Sequence, residues 1–237
     1  MAIGRVINKH SGLFPDFEEI LKNLGKYTNQ NDFEFFLQIP NLTKADILEY
    51  FERAILILTT GPFGEDNGVM ELSSMFFASM FDEIDKMTIH YPTYISEYTN
   101  IVAQLFLAGY IDFGIESRAK DKYTKIDYPT NLSYYKEDKY EAWIHFRDNF
   151  FYTDAHNRDI LDLRERYPNM SDDDYINSTW NTPKYWDMEH FWVARTPKGT
   201  KYFNEILSPK FYNKYKDLEV EIDDKGNIIR WIGKVNR

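Results

Sequence analysis

Cysteine is absent from the sequence. Without thiols the chain cannot form a disulfide framework, a thiolate zinc site or an iron–sulfur cluster, and it cannot use a cysteine nucleophile. Long apolar runs are also missing, because the most apolar stretches, 54–58 and 101–110, are far shorter than the ~20 residues of a membrane-spanning helix. The start of the sequence lacks the apolar segment of a secretory signal. We therefore expect a protein that is neither secreted nor held in a membrane.

Common catalytic motifs are missing as well. The sequence contains no GxxxxGKS/T loop, no GxGxxG after a strand, no HExxH and no GxSxG. Phosphate-binding loops and the common hydrolase sites therefore lack their usual sequence signatures. On this ground we expect that the protein is not an enzyme and that it needs no cofactor.

The charge of the chain is acidic and unevenly distributed. Its 28 basic and 38 acidic residues give a net charge of -10, and residues 1–120 hold 9 of the basic and 17 of the acidic residues, a net charge of -8. Binding to duplex DNA depends on Lys and Arg that neutralise phosphates. We therefore expect no sequence-specific nucleic-acid partner. The acidic first half also leaves open an inhibitor or immunity protein that caps a basic partner.

The first part of the chain has the hydrophobic periodicity of helices. Apolar residues recur at helical spacing in four segments, 16–24, 43–60, 70–87 and 93–108. Thr43 with Asp46 is typical of a helix start, and Gly or Pro residues follow the ends of three of these segments. The last three of these segments predict helices of similar length joined by short turns. Together with the shorter first segment they predict an antiparallel bundle over residues 1–111.

The pattern changes after residue 111. Hydrophobic periodicity fades and tyrosine becomes frequent, so that residues 112–216 are predicted to form a long irregular arm with short helices at about 135–150 and 156–166. Alternating apolar residues before a turn at Asp224 to Asn227, and an apolar run after it, predict a β-hairpin in 217–237. The predicted fold class is mainly α, an antiparallel helical bundle with an irregular aromatic arm and a terminal β-hairpin. Because an isolated hairpin is barely stable, we expect it to dock on a sheet edge or on another chain.

Three tryptophans, Trp180, Trp186 and Trp192, follow one another at a spacing of six. In an extended segment all three rings would lie on one side, and Trp, Tyr and Arg dominate the hot spots of protein interfaces. We therefore predict that an aromatic surface binds other chains. The residues assigned to it are Trp180, Tyr185, Trp186, Phe191, Trp192, Arg195, Tyr202 and Trp231.

Titratable residues in the arm raise the question of a metal or an acid/base site. Asp154 and His156 could share a metal ion, although Asp154 could equally begin a helix. Asp187, Glu189 and His190 are too close in sequence to converge, because neighbouring residues of an extended run point to opposite faces. We predict no metal site and no catalytic residue. A metal-dependent enzyme centred on Asp154, His156 and His190 stays open as an alternative.

In its layout the chain resembles the head-tail connector, adaptor and collar ring proteins of tailed bacteriophages. The resemblance is carried by the predicted bundle from 43–61 to 101–109, the aromatic arm 178–197 and the hairpin 218–235. It implies a structural subunit of a homo-oligomeric ring, found in the virion or in the host cytoplasm. Its partners would be copies of itself and other structural proteins such as portal or tail components. An acidic inner surface would keep DNA from adhering to such a ring.

Overall fold

The computed structural model describes residues 1–7, 32–58, 69–71, 80–82, 86–88, 95–115, 138–225 and 227–237. The chain divides into two compact units. Unit 1 is formed by Met1–Arg53, Phe77–Pro92 and Lys201–Arg237, and unit 2 is formed by Ala54–Phe76 and Thr93–Thr200.

The described residues form eight α-helices. They are α1 (Asp32–Leu37), α2 (Lys44–Leu58), α3 (Ile95–Leu107), α4 (Lys139–Phe146), α5 (Ile160–Arg166), α6 (Asp172–Ile176), α7 (Pro197–Tyr202) and α8 (Ser208–Tyr215). Short π-helical turns continue two of these helices, over Arg147–Phe151 after α4 and over Phe203–Leu207 after α7. Two 3-10 turns cover Ala155–Asn157 and Pro183–Tyr185.

Eight strands lie in the same described part of the chain. They are β1 (Ala2–Arg5), β2 (Val69–Glu71), β3 (Met80–Asp82), β4 (Lys86–Thr88), β5 (Ile111–Ile115), β6 (Phe191–Arg195), β7 (Leu218–Ile222) and β8 (Ile228–Gly233). They form two three-stranded sheets of order β1-β7-β8 and β2-β6-β5 and a β3-β4 pair, all antiparallel. The prediction of a mainly α fold is therefore wrong, and the fold is mixed α/β.

In unit 1 the hairpin of β7 and β8 forms as predicted and is joined by β1. Residues Leu218, Val220 and Ile222 alternate along β7 and are buried, as expected for a strand with one face on a core. Rings of the helices add to this core, with Phe36 stacked on Tyr50 at a centroid distance of 4.5 Å. The hairpin thus docks on the edge of a strand of its own chain.

In unit 2 the central strand β6 lies between β2 and β5, and all five of its residues are buried. Phenylalanine rings from helices and strands meet beside it. Phe113 of β5 contacts Phe106 of α3 at 4.4 Å and Phe146 of α4 at 4.5 Å, and Phe146 contacts Phe191 of β6 at 4.7 Å. A strand buried along its whole length explains why the apolar run at 191–194 shows no alternation.

Two of the predicted helices are confirmed. The segment at 43–60 forms α2, where the Thr43 hydroxyl donates to Oδ2 of Asp46 at 2.7 Å. The segment at 93–108 forms α3, and Gly109 follows its end with a positive φ of 74°. The segment at 16–24 lies outside the described residues.

The predicted helix at 70–87 is wrong wherever that segment is described. Short strands β2, β3 and β4 occupy those residues. Met70 pairs with Val193 of β6 across the sheet, so backbone pairing with a distant strand overrides the local helical spacing of Met and Phe. Residues 72–79 and 83–85 lie outside the described part.

The prediction of a long irregular arm is also wrong for the described part of 112–216. Five helices and strand β6 lie there, and the two helices predicted at about 135–150 and 156–166 correspond to α4 and α5. The physical reason is that the aromatic side chains of this region pack on one another, which a search for local periodicity cannot detect. In the described part of the chain, no helix is both long enough and apolar enough to cross a membrane.

Candidate functional site

The first two tryptophans of the repeat lie inside unit 2. Trp186 is 0% exposed, and its ring centroid is 5.4 Å from that of Trp180 and 4.8 Å from that of Phe191. The indole N–H of Trp186 donates to the carbonyl oxygen of Thr179 at 3.0 Å. His145 of α4 lies against both indoles, at 4.6 Å from Trp180 and 5.7 Å from Trp186. These rings are therefore core residues of their own unit.

The third tryptophan, Trp192, is buried in β6 opposite Gly114 of β5. A Cβ atom added at Gly114 would lie 2.5 Å from Cζ2 of Trp192. The glycine therefore leaves the space that the indole ring fills, which is a common role for glycine inside a strand.

The other predicted interaction residues of unit 2 also have partners within the chain. Arg195 is buried, its Nη1 donates to the carbonyl oxygen of Leu56 at 3.0 Å, and its Nε donates to the hydroxyl of Thr200 at 3.2 Å. Tyr185 is half-buried, with its ring 5.8 Å from that of Tyr167. Burial of this kind leaves little of these side chains for another protein to contact.

In unit 1, two further predicted residues are half-buried. The hydroxyl of Tyr202 donates to Oε1 of Glu52 at 2.8 Å. The ring of Trp231 in β8 meets that of Phe35 edge to face at 5.5 Å. Trp231 therefore keeps an exposed part at the edge of the sheet, and contact of the eight predicted residues with other chains stays a prediction.

A buried polar cluster joins Tyr175 of α6 to the turn before β6. The hydroxyl of Tyr175 donates to Oδ2 of Asp187 at 2.8 Å, and Nδ1 of His190 lies 2.7 Å from Oδ1 of the same carboxylate. The backbone N–H of Asp187 also lies 3.1 Å from Nδ1, but one ring nitrogen cannot both donate and accept. We place the hydrogen on Nδ1, because the contact with the carboxylate is the shorter one and a carboxylate can only accept. Burial alone would raise the pKa of Asp187, but the hydrogen bond and charge of His190 and the bond from Tyr175 lower it. The carboxylate is thus held ionised inside the unit.

An aspartate that orients a histidine is one half of a general-base arrangement. In His190 the other nitrogen, Nε2, is buried and has no hydrogen-bond partner among the described residues. No hydroxyl or thiol nucleophile is therefore placed on it there. The interaction that the geometry does support is a structural one, in which Asp187 links helix α6 to strand β6.

The three residues of the proposed metal site are not brought together. Asp154 is exposed, with a positive φ of 56°, while His156 is buried with its ring 5.8 Å from that of Phe151. Burial lowers the pKa of His156, and His190 lies against Asp187 instead. Within the described ranges, no group of three or more His, Asp and Glu side chains could hold a metal ion.

Sequence reasoning missed Arg158, which links the 3-10 turn at Ala155–Asn157 to the tryptophan segment. Its Nη2 donates to the carbonyl oxygen of Trp186 at 2.8 Å, and its own carbonyl oxygen accepts from the backbone N–H of Met188 at 2.9 Å. Arg158 also lines an open cleft of about 450 Å³. No local motif in the sequence marks Arg158, since its role follows from its burial beside the carbonyl oxygen of Trp186.

A second group that the sequence did not reveal lies in unit 1. Lys214 of α8 forms ion pairs with Asp46 and Glu49 of α2, and Arg237 forms a further pair with Asp46 at 3.0 Å. Burial alone would raise the pKa of Asp46, but the hydrogen bonds from Lys214 and Thr43 and the charge of Lys214 lower it to about 2. These charges neutralise one another, so the cluster ties α8 and Arg237 to the start of α2.

Strand β8 forms an edge of the sheet in unit 1. Strand β8 pairs with β7 on one side, and no described strand pairs with its other side. Ile229 of β8 is 48% exposed. An unpaired strand edge of this kind presents free N–H and C=O groups to another strand.

Comparison of the chain with protein-family models, with curated proteins and with solved structures finds no match in any of the three.

Proposed function

We propose that the protein is a structural subunit that assembles with copies of itself through the free edge of strand β8. The observation that carries this proposal is the sheet order β1-β7-β8, in which six residues of β8 have a strand on one side alone within the described part of the chain. Sheet edges bind other chains by adding strands, and the backbone hydrogen bonds then provide much of the affinity.

The edge is apolar as well as unpaired. In the register of the hairpin, Val220 lies opposite Trp231 and Leu218 lies opposite Gly233. Because directly opposite residues share a face, Trp231 lies on the face that carries the buried residues of β7, and so does Ile228, which is opposite Ile222. The register shifts at Ile229, between these two pairs. The core face of the sheet therefore continues to its edge, where Ile228 and Trp231 are incompletely covered. A partner strand would extend this core.

A second copy of β8 suits this edge. Two copies of β8 related by a two-fold axis would pair antiparallel, and directly opposite residues must then point to the same face of the sheet. This requires that one residue of β8 lies opposite its own copy, so each possible register is centred on one residue. A centre at Arg230 places two like charges opposite each other, which is destabilising. A centre at Trp231 pairs the two indoles, Ile229 with Gly233, and Arg230 with Ile232. Arg230 already forms an ion pair with Glu221 of β7 at 2.5 Å, so its charge does not oppose this register.

The narrower proposal is a connector or collar ring in the virion of a tailed bacteriophage, with portal or tail proteins as further partners. Of the layout that suggested it, the terminal hairpin is present, whereas the described residues form neither the helical bundle nor the extended arm. A ring also needs two different contact surfaces on each subunit. Strand β1 forms the other edge of the same sheet, and β8 of one copy could pair with β1 of the next.

The test is the assembly state of the purified chain, measured by mass photometry over a range of concentrations. We expect a dimer if β8 pairs with β8, and a larger closed ring if β8 pairs with β1. Ile229→Lys, which puts a charge at the edge, should give monomers of unchanged circular dichroism. Ile206→Lys is the matched control, because Ile206 is equally exposed in unit 1 but lies outside the sheet.

A wild-type chain that stays monomeric at every concentration would overturn the proposal of self-assembly. Loss of assembly in both variants would place the contact elsewhere than at β8. A dimer without any ring would contradict the connector, while leaving pairing through β8 intact.

A further inference from the structure

An open cleft of about 450 Å³ in unit 2 has a mixed lining of charged and polar side chains. They belong to α5 and to the residues just before it, and they are Asp154, Asn157, Arg158, Asp162, Glu165 and Arg166. The size is within the range of small-molecule sites, which are about 300–1,000 Å³. Two features of the lining point to a ligand.

The first feature is the state of Arg158. The residue is 6% exposed, and among the described residues it forms no ion pair and donates a single side-chain hydrogen bond, from Nη2 to the carbonyl oxygen of Trp186. Its Nε is buried without an acceptor. A guanidinium has five N–H donors and is always charged, and burying such a group without an anionic partner is costly.

The same cleft holds a second guanidinium, that of Arg166. Burial lowers the pKa of Arg158 and the positive charge of Arg166 lowers it further, so the two cations repel each other, while Tyr167, Asp187 and Asp154 act in the opposite direction without forming an ion pair. An anion between them would remove this repulsion. The planar fork of arginine binds carboxylate or phosphate through two parallel hydrogen bonds.

The second feature is Asn157. Its side-chain oxygen Oδ1 is buried and has no donor within the described part of the chain. Three carboxylates, those of Asp154, Asp162 and Glu165, lie on the same lining. They would repel a doubly charged phosphate, and together with Asn157 they would accept hydrogen bonds from an ammonium group. The ligand that satisfies both features is therefore a zwitterion.

We propose that this cleft binds a free α-amino acid. Its carboxylate is held by Arg158 and Arg166, and its ammonium group is held by Asn157 and the carboxylates of the cleft. This site is independent of the edge of β8, because its residues all belong to unit 2. It would make the protein a binder of small metabolites in addition to any role in assembly.

The experiment is a thermal-shift screen of the full chain with each of the standard L-amino acids, followed by isothermal titration calorimetry of those that raise the melting temperature. Acetate, ethylammonium and inorganic phosphate serve as partial probes at equal ionic strength. We expect at least one amino acid to bind, acetate to bind at least about tenfold more weakly, as loss of one charged contact predicts, and phosphate to show no binding. No shift with any amino acid, or tighter binding of phosphate than of every amino acid, would overturn the proposal.

Variants show whether the binding occurs in this cleft. Arg166→Gln changes an exposed residue, so the fold should be kept, and we expect the Kd to rise by about tenfold. Arg164→Gln is the matched control on the same helix, because Arg164 is ion-paired with Asp172 and is not part of the cleft. Arg158→Gln should abolish binding if it folds. An equal loss of affinity in Arg164→Gln and Arg166→Gln would contradict the assignment of the site.

Discussion

Nζ of Lys214 lies 2.5 Å from Oδ1 of Asp46, a carboxylate that is 1% exposed. The two residues come from opposite ends of the sequence, and their contact holds helix α8 against the start of α2. A buried ion pair contributes little when both partners are present, but removal of one partner leaves an uncompensated charge. This asymmetry makes Lys214 a sensitive position for mutation.

We expect Lys214→Met to lower the free energy of unfolding because Asp46 and Glu49 lose their shared cation, but by less than the ~3–5 kcal/mol of an uncompensated buried charge, since Arg237 still pairs with Asp46 and Lys210 with Glu49. The measurement is urea unfolding followed by circular dichroism. Lys216→Met is the control. Lys216 directly follows the end of α8, is exposed and forms no ion pair in the described residues. A loss that is equal in the two variants would mean that the cluster does not stabilise unit 1.

The same cluster makes stability depend on acid pH. The pKa of Asp46 is lowered to about 2 from the ordinary aspartate value of 3.8. Because the folded-state value is the lower one, the stabilisation is fully present above about pH 4 and is lost as the pH falls towards 2. The free energy of unfolding, measured at several pH values, should fall over this interval. Asp46→Asn should show a smaller fall, and an identical profile would count against the role of Asp46.

Tyr175→Phe tests the buried polar cluster of unit 2. The variant loses the hydrogen bond to Oδ2 of Asp187, so we expect the free energy of unfolding to fall by about 1.5–3 kcal/mol, the range for a bond to a charged group. The pKa of Asp187 should also rise towards its ordinary value, so the free energy of unfolding should fall less on acidification in the variant than in the wild type. Tyr152→Phe is the control, because Tyr152 is exposed. Equal stability of all three proteins would show that the hydroxyl of Tyr175 contributes nothing.

Trp186→Ala should unfold unit 2 partly or wholly, since a buried aromatic side chain truncated to alanine costs about 3–5 kcal/mol. Thermal unfolding and the near-ultraviolet circular dichroism of the aromatic side chains would both change. Tyr140→Ala, at an exposed position of α4, should leave both unchanged. If Trp186→Ala instead kept its melting temperature and lost assembly, the ring would belong to an interface, as the sequence first indicated.

The sequence predicted those elements whose cause is local. Helix α2 is determined by the cap at Thr43 and by its own apolar stripe, and the final hairpin is determined by its turn and its alternating residues. Strand β2 could not be predicted in this way, because Met70 is a strand residue through its pairing with Val193, more than a hundred positions later. The helical spacing of the Met and Phe residues pointed to the wrong structure for the same reason.

The candidate sites show the same division. The tryptophan repeat was recognised, but whether its rings face outward or inward depends on His145 of α4 and on Phe191 of β6. Arg158 carried no local motif, and its role follows from its burial beside the carbonyl oxygen of Trp186. Charge counts alone could not show that Asp46 and Lys214 neutralise each other.

The pairing of β1 with β7 has a consequence for the order of folding. Gly4 lies opposite Val220, so Gly4 acquires its partner only after more than two hundred further residues have been synthesised. Strand β6 likewise pairs with both β2 and β5, which precede it in the sequence by more than seventy positions. Contacts between distant parts of a chain slow folding, because a long loop must close before they form. On the ribosome, therefore, neither unit completes its sheet until its last strand has emerged, and we expect the nascent chain to depend on chaperones for longer than a helical bundle of this length would.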